Sequence, residues 1–391
     1  MDDREISSSE KYITEVIRLQ SWNNFIKCSI NSINDLLKIK CDKKIIKNII
    51  NYNTFVIGCD KLNEYVLLPN TDNLIKYQDI LMDELSYTLE KNIDTFKADI
   101  MKIIINCNEQ SKMEMKSILA NTKFYKINVD VKINKNKVKL LIIDDKYPNT
   151  FTLPINHYNR LKQMFNGTET QKKYINLWIC ILLLRYRYYT FIKEGISLSV
   201  DIIYQFIKTN NYTNISLEAF AGALNSDLPN YCSLFYDIEK YFGSKGSFLL
   251  INPDCKYEII ISNPPYIDII IKQAAIKLIN FLNRCNDIFI IVIIPDWRSV
   301  DEFKQDINIQ KDINGLPQKR VDISYIGYSI LRNSKYFRDV FFIGDFKYYN
   351  FFKDEKRSIN GNILILLLSK IPSNIYYNKM KNYLNKIIQP S

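Results

Sequence analysis

The chain holds one histidine, His157, in 391 residues, and only ten glycines, eleven prolines and three tryptophans. So little histidine, with no CxxC pair among Cys28, Cys41, Cys59, Cys107, Cys180, Cys232, Cys255 and Cys285, excludes the clustered ligands that a zinc site needs; no metal is expected. The bland reading of the cysteines is free buried thiols in a reducing compartment. No Gly/Pro-rich linker and no internal repeat is visible. The strongest apolar runs, Leu177–Leu184 and Ile288–Ile294, fall short of the roughly 20 residues of a membrane helix, so no membrane partner is expected. The polar, acidic stretch from Met1 to Lys11 does not read as a secretion signal, and an intracellular protein is expected.

Charge of one sign is in excess. Lys and Arg number 53 against 42 Asp and Glu, a net +11. A basic chain suits a polyanion, because its cations release the counterions of phosphates. The same sequence is saturated with Ile, Asn, Lys and Tyr, a bias that low GC content produces without selection for binding. Charge therefore counts only beside other observations.

Residues 1–120 read as mostly helical. Ile13, Val16, Ile17, Leu19 and Trp22 recur at helical spacing, as do Ile45, Ile46, Ile49 and Ile50. The period changes to two over Tyr125–Ile133 and again over Val138–Ile143, with Asn134-Lys135-Asn136 as the turn, which predicts a β-hairpin near 124–143. Helical signals resume over 156–194. From about Asn214 short apolar strands alternate with helices. Ile215–Phe220, Tyr257–Ser262, Asp287–Ile294, Val340–Phe346 and Asn362–Leu368 are candidate strands, and Ile269–Leu282 has helix length. Continuous apolar strands belong to a sheet covered on both faces. The expected fold class is α/β: a helical N-terminal domain over 1–200 that carries the hairpin, then a Rossmann-like domain over 201–391. The late strand pair suits the class I methyltransferase form of that sheet.

The tetrapeptide Asn263-Pro264-Pro265-Tyr266 follows directly on the strand Tyr257–Ser262. Open α/β sheets bind ligands at the carboxyl ends of their strands. An adenine amino nitrogen is a poor nucleophile, because its lone pair is delocalised into the ring. The Asn263 side-chain carbonyl and the Pro264 backbone carbonyl form an acceptor-only pair that can hold both N–H bonds. The two prolines fix φ before substrate arrives, and Tyr266 offers a face for the base to stack on. The alternative is a plain Pro-Pro turn capped by Asn263. Forty-five residues earlier, Glu218-Ala219-Phe220-Ala221-Gly222 ends another candidate strand. Small residues there let backbone approach a cofactor, and Glu218 can hold an amino group.

These residues resemble a known family. Phe220-Ala221-Gly222-Ala223-Leu224-Asn225, Tyr231-Cys232-Ser233, Phe235, Asp237, Tyr241–Gly246, Asn263–Tyr266 and Ile293–Arg298 are similar, in order and spacing, to the phosphorylated-CTD-interacting-factor family of cap-specific adenosine N6-methyltransferases. The likeness spans about 215–300 and is weaker over 120–200 and 320–370. The family carries Phe where this chain has Tyr266. The resemblance implies a helical domain packed on a Rossmann-like core and S-adenosylmethionine as cofactor. It also implies capped RNA as partner, with methylation at N6 of the 2′-O-methyladenosine beside the 7-methylguanosine cap. Catalytic roles fall to Asn263, Pro264, Pro265 and Tyr266. Cofactor binding falls to Glu218, Phe220, Ala221, Gly222, Asn225 and Asn263, and substrate binding to Tyr266, Lys245, Trp297 and Arg298. Trp297 equally suits an anchor for its loop, and the Tyr241–Gly246 loop equally suits a plain turn. Trp22 has no partner tryptophan about 20 residues away, so no WW domain is expected. Arg185, Arg187 and the tyrosines Tyr186, Tyr188 and Tyr189 can track RNA or fill a helical core. The competing functions are a DNA adenine N6-methyltransferase and an inactive RNA-binding scaffold subunit. The expected setting is nucleus or cytoplasm, with a large DNA virus or a protist as a low-GC source.

Overall fold

The computed structural model describes residues 7–38, 75, 82, 94–188, 196–197, 201–252, 255–266, 268–296, 326–343, 347–350, 355–358 and 362–388. The chain forms two compact units, Met1–Gly195 and Ile196–Ser391.

In the first unit, α1 (Ser8–Leu37) starts at Ser7, whose hydroxyl accepts the Glu10 N–H at 3.1 Å. Its buried positions, among them Tyr12, Ile13, Val16, Phe25, Ile26, Ile30 and Ile33, recur every three or four residues and form one apolar stripe. That stripe meets α2 (Lys97–Ala120). The strands β1 (Asn128–Asn134), β2 (Lys137–Ile143) and β3 (Asn149–Pro154) make an antiparallel sheet in that order. The hairpin stands where its alternation placed it. β3 is not expected from the sequence, because Pro148 and Pro154 bracket it and proline is uncommon inside strands. Three helices follow: α3 (Ile155–Met164), α4 (Glu169–Lys172) and α5 (Ile175–Tyr188). The apolar run Leu177–Leu184 is buried in α5.

One expectation, that the cysteines are free thiols, is corrected. Cys28 and Cys107 are joined in a disulfide, because the packing of α1 on α2 brings their Cα atoms to 5.8 Å, within bridging range. Cys255 and Cys285 of the second unit are bridged as well. Cys180 and Cys232 are free and buried; Cys41 and Cys59 lie outside the described residues. Of the two alternatives for Arg185, tracking RNA or filling the core, the structure takes the second. The side chain is fully buried and grips Glu15 through two hydrogen bonds of 2.8 and 2.7 Å. Burial alone would push the Glu15 carboxyl up, but Arg185, Arg18 and Lys11 outweigh it and hold the group below its usual range. Arg187 is likewise spent inside the unit, on Asn149 Oδ1 at 2.7 Å and on the Phe151 ring at 4.0 Å. The helical pattern of Ile45–Ile50 and the residue Tyr189 lie outside the described residues.

The second unit runs β4 (Ile196–Ser197), α6 (Asp201–Thr209), β5 (Ser216–Glu218), α7 (Tyr236–Glu239), β6 (Ile259–Ser262), α8 (Asp268–Arg284) and β7 (Phe289–Pro295). It continues with α9 (Ile326–Arg332), β8 (Phe337–Ile343), β9 (Lys347–Asn350), β10 (Glu355–Ser358), β11 (Ile363–Ser369) and α10 (Ile375–Ile388). Its main sheet has the order β5-β6-β7-β11-β8, and a smaller one the order β10-β9-β4. β5, β6 and β7 are parallel, whereas β11 is antiparallel to both of its neighbours.

Both faces of the main sheet are covered, which is why its central strands read as unbroken apolar runs. On one face Leu217, Ile260, Ile290, Val292, Leu364 and Leu366 meet α8 and α9. On the other Ile259, Ile261, Ile291, Ile293, Ile365 and Leu367 meet α6 and α10. The expected strand Ile215–Phe220 contracts to three residues, and the one expected at Val340–Phe346 starts earlier, at Phe337. The molecule is thus α/β with a mixed sheet.

Candidate active site

Strand register assembles the site. Glu218 pairs with Ile261, and Ser262 with Val292, so β5 and β6 end at the same edge of the sheet. The Ala219 N–H donates to the Ile261 carbonyl at 2.8 Å and carries the pairing one residue past β5. Phe220-Ala221-Gly222 therefore leaves the sheet beside the strand that delivers Asn263. Asn263, Pro265 and Tyr266 are half-buried and Pro264 is buried.

The loop after β5 is tightly organised. Gly222 N–H donates to Asn225 Oδ1 at 2.6 Å, and the Asn225 and Ser226 N–H groups both return to the Gly222 carbonyl. The side chain of Asn225 thus closes its own turn. Glu218 is buried. Its carboxyl accepts the Tyr204 hydroxyl at 2.5 Å and the Asp227 and Leu228 N–H groups at 2.9 and 3.3 Å. Burial, with the charge of Asp227 behind it, pushes Glu218 up to about 7 against those hydrogen bonds. Three acceptor positions of the expected amino-group holder are filled by the protein itself.

Sequence reasoning missed two residues here. Tyr204 reaches Glu218 from α6 and carried no signal beyond the apolar pattern of its helix. Glu239, fully buried, accepts the Ala223 N–H at 2.6 Å and the Phe235 N–H at 3.3 Å. A carboxylate inside an aromatic stretch, Tyr236-Asp237-Ile238-Glu239-Lys240-Tyr241, was the sign that could have found it.

The flanking segments pair in turn. Cys232 N–H donates to the Glu218 carbonyl, Lys245 N–H to the Tyr231 carbonyl, and Ser233 Oγ to Ser244 Oγ at 2.7 Å. Gly246 sits at φ 96°, which a side chain would strain. These bonds hold the Tyr241–Gly246 loop against β5 with the Lys245 side chain exposed. The Lys245 charge acts on the Cys232 thiol, which burial nonetheless pushes up to about 12.

Two rings form walls. Phe220 packs edge-on against Phe248 at 5.4 Å, and Phe248 stacks on Phe281 of α8. Tyr266 leans on the opposite cluster, the one that holds Ile203, Leu228 and Ile261, and burial raises its phenol well above the usual range. Trp297 and Arg298 lie outside the described residues. Asp296, just before them, is buried, and its N–H donates to the Asn362 carbonyl at 2.9 Å.

Comparison with known proteins bears on this segment. The family model described as "Phosphorylated CTD interacting factor 1 WW domain" matches residues 160–311. Those residues run from α3 through the Asn263 loop and past β7. Two relatives, from Mus musculus and Homo sapiens, are each named mRNA (2'-O-methyladenosine-N(6)-)-methyltransferase. Each is 31% identical over 108 residues, covering 27% of this chain and 15% of the relative. The match thus spans a small part of the relatives' length. Over residues 160–311, the chain is similar to the phosphorylated CTD interacting factor family.

Proposed function

We propose that this protein is an S-adenosylmethionine-dependent methyltransferase acting on N6 of adenosine in RNA, with the 2′-O-methyladenosine beside a 7-methylguanosine cap as its preferred target. One observation carries the reading: Asn263-Pro264-Pro265-Tyr266 leaves β6 at the edge where the Ala219–Gly222 segment leaves β5. The parallel run β5-β6-β7, with β11 inserted antiparallel beyond it, supports a Rossmann-like class I core. The relatives' printed names support the substrate.

The residues present fit the cofactor. Ser262 Oγ is buried at the tip of β6 with no partner among the described residues, a polar atom that a ligand between the two loops can satisfy. Phe220, Ala221, Gly222, Asn225 and Asn263 would hold the molecule, and Glu218 fixes the turn behind them. When bound, S-adenosylmethionine supplies an electrophilic methyl group on a sulfonium. The chain's own residues do the rest. The Asn263 side-chain oxygen and the Pro264 carbonyl accept hydrogen bonds from the two amino N–H groups, so the nitrogen lone pair localises and points one way. The prolines hold these acceptors in place beforehand, which lowers the cost of reaching the transition state. Tyr266 bounds the base, and Lys245, Trp297 and Arg298 meet the RNA.

Mass spectrometry of capped RNA, uncapped RNA and duplex DNA after incubation with the methyl donor tests this. On RNA that begins with 2′-O-methyladenosine, N6,2′-O-dimethyladenosine should appear beside the cap and be lost in Asn263→Ala without loss of folding, because the Asn263 contact matters most in the transition state. Equal methylation of duplex DNA would instead assign a DNA enzyme. No product, and no stabilisation by S-adenosylhomocysteine, would assign a scaffold.

A further inference from the structure

The sheet β1-β2-β3 of the first unit has two unlike faces. Val138, Leu140 and Ile142 of β2 are buried on one of them. Alternation puts Lys137 and Lys139 on the other, and the register sets Lys139 opposite Lys132 on one side and Thr152 on the other. Asn134 and Thr150 lie on the same face, paired with Lys137 and Leu141. Lys132, Lys137, Lys139, Asn134, Thr150 and Thr152 are all exposed. Lys135 adds a fourth ammonium at the hairpin tip, where its φ of 48° is one that glycine or asparagine takes more readily. Against these cations the face carries Asp130, 3.7 Å from Lys132. Among the described residues no carboxylate pairs with Lys137 or Lys139.

Like charges directly opposite each other destabilise an antiparallel pair. Lys132 facing Lys139 is therefore a cost that Asp130 relieves in part and that a polyanion would offset further. The spacing suits one: lysines on alternate residues of β2 are about 7 Å apart and cross-strand neighbours about 5 Å. Lysines interleaved with threonine and asparagine are the mixture that grips phosphate oxygens without reading bases. We infer that this sheet face binds the phosphate backbone of the RNA substrate outside its target nucleotide; the inference rests on the RNA reading above and adds a second contact surface to it. Its contribution is affinity for length, not chemistry.

The test uses the full chain carrying Lys132→Gln, Lys137→Gln and Lys139→Gln together, beside a control with Lys102→Gln, Lys116→Gln and Lys386→Gln, which removes equal charge elsewhere. Fluorescence anisotropy with a short single-stranded RNA is followed across a potassium chloride series. The sheet variant should bind roughly tenfold more weakly, and its log–log salt slope should fall by about 2, since each neutralised phosphate of a single strand contributes about 0.7. In methylation, KM for the long RNA should rise while kcat, and both constants on a capped dinucleotide, stay put. Unchanged affinity and slope would overturn the inference, as would an equal effect in the control. Lost binding to phosphatidylserine vesicles with RNA binding intact would also overturn it. RNA bound through these lysines with no methyl transfer in the wild type would support the face and remove the enzymatic reading instead.

Discussion

At the scale of single residues, Glu218 makes the sharpest prediction. Its folded carboxyl is raised to about 7, above the ordinary carboxylate range. A raised acid favours folding where it is protonated. Its stabilisation is therefore complete below the unfolded value and lost as pH rises through about 7. Between pH 4.5 and 7 the melting temperature of the wild type should fall relative to Glu218→Gln, a difference on the order of 3 kcal/mol for a fully buried group. Parallel thermal melts across that range check it; identical pH dependence in both proteins would mean the carboxyl is not held neutral. A second residue, Lys135, sits in the left-handed region. Lys135→Gly should raise the urea midpoint by the equivalent of about 1 kcal/mol. Legibility in the sequence was uneven at this scale. Asn263 and the prolines were readable because proline restricts backbone wherever it stands. Tyr204 and Glu239 were not, because the carboxylate that Tyr204 meets and the loop N–H groups that Glu239 accepts are brought to them only by the folded sheet.

At the scale of elements, close packing decides. A Cβ on Gly327 of α9 would lie 2.9 Å from the backbone of Ile271 and Lys272 in α8. Backbone cannot step aside as a side chain does, so Gly327→Ala should cost about 1–3 kcal/mol despite alanine's better helix propensity. Chemical denaturation reads the loss; a stabilised variant would mean that α9 is free to shift on α8. The pair Glu15–Arg185 ties α1 to α5 at zero exposure. Arg185→Met removes the bidentate partner of a buried carboxylate and should cost about 3 kcal/mol. Strands β6, β7 and β11 could be read from sequence because burial on both faces removes polar alternation. β5 reads too long, as Ile215–Phe220, because its apolar run continues into the loop that follows, and β3 does not read as a strand because Pro148 and Pro154 bracket it and leave only Thr150–Leu153 to show alternation.

At the scale of the whole molecule, each compact unit holds one disulfide among the described residues. Cys28–Cys107 spans 79 residues of sequence and Cys255–Cys285 spans 30. Chain-entropy reasoning gives about 4–5 kcal/mol for the longer loop and about 3–4 for the shorter. Cys28→Ser should therefore lower the melting transition of the first unit and leave that of the second in place, which calorimetry separates. A common shift of both transitions would show that the units unfold together. The order β7-β11-β8 has a consequence for synthesis. β11 follows β8 in the chain yet sits between β8 and β7, and all seven of its residues are buried. Until Ser369 has left the ribosome, β7 and β8 each present an unpaired edge facing the gap that β11 will fill. For that interval the nascent chain offers two sticky strand edges to its neighbours on the polysome. Chaperone demand in translation should therefore peak late, while that one strand is being made.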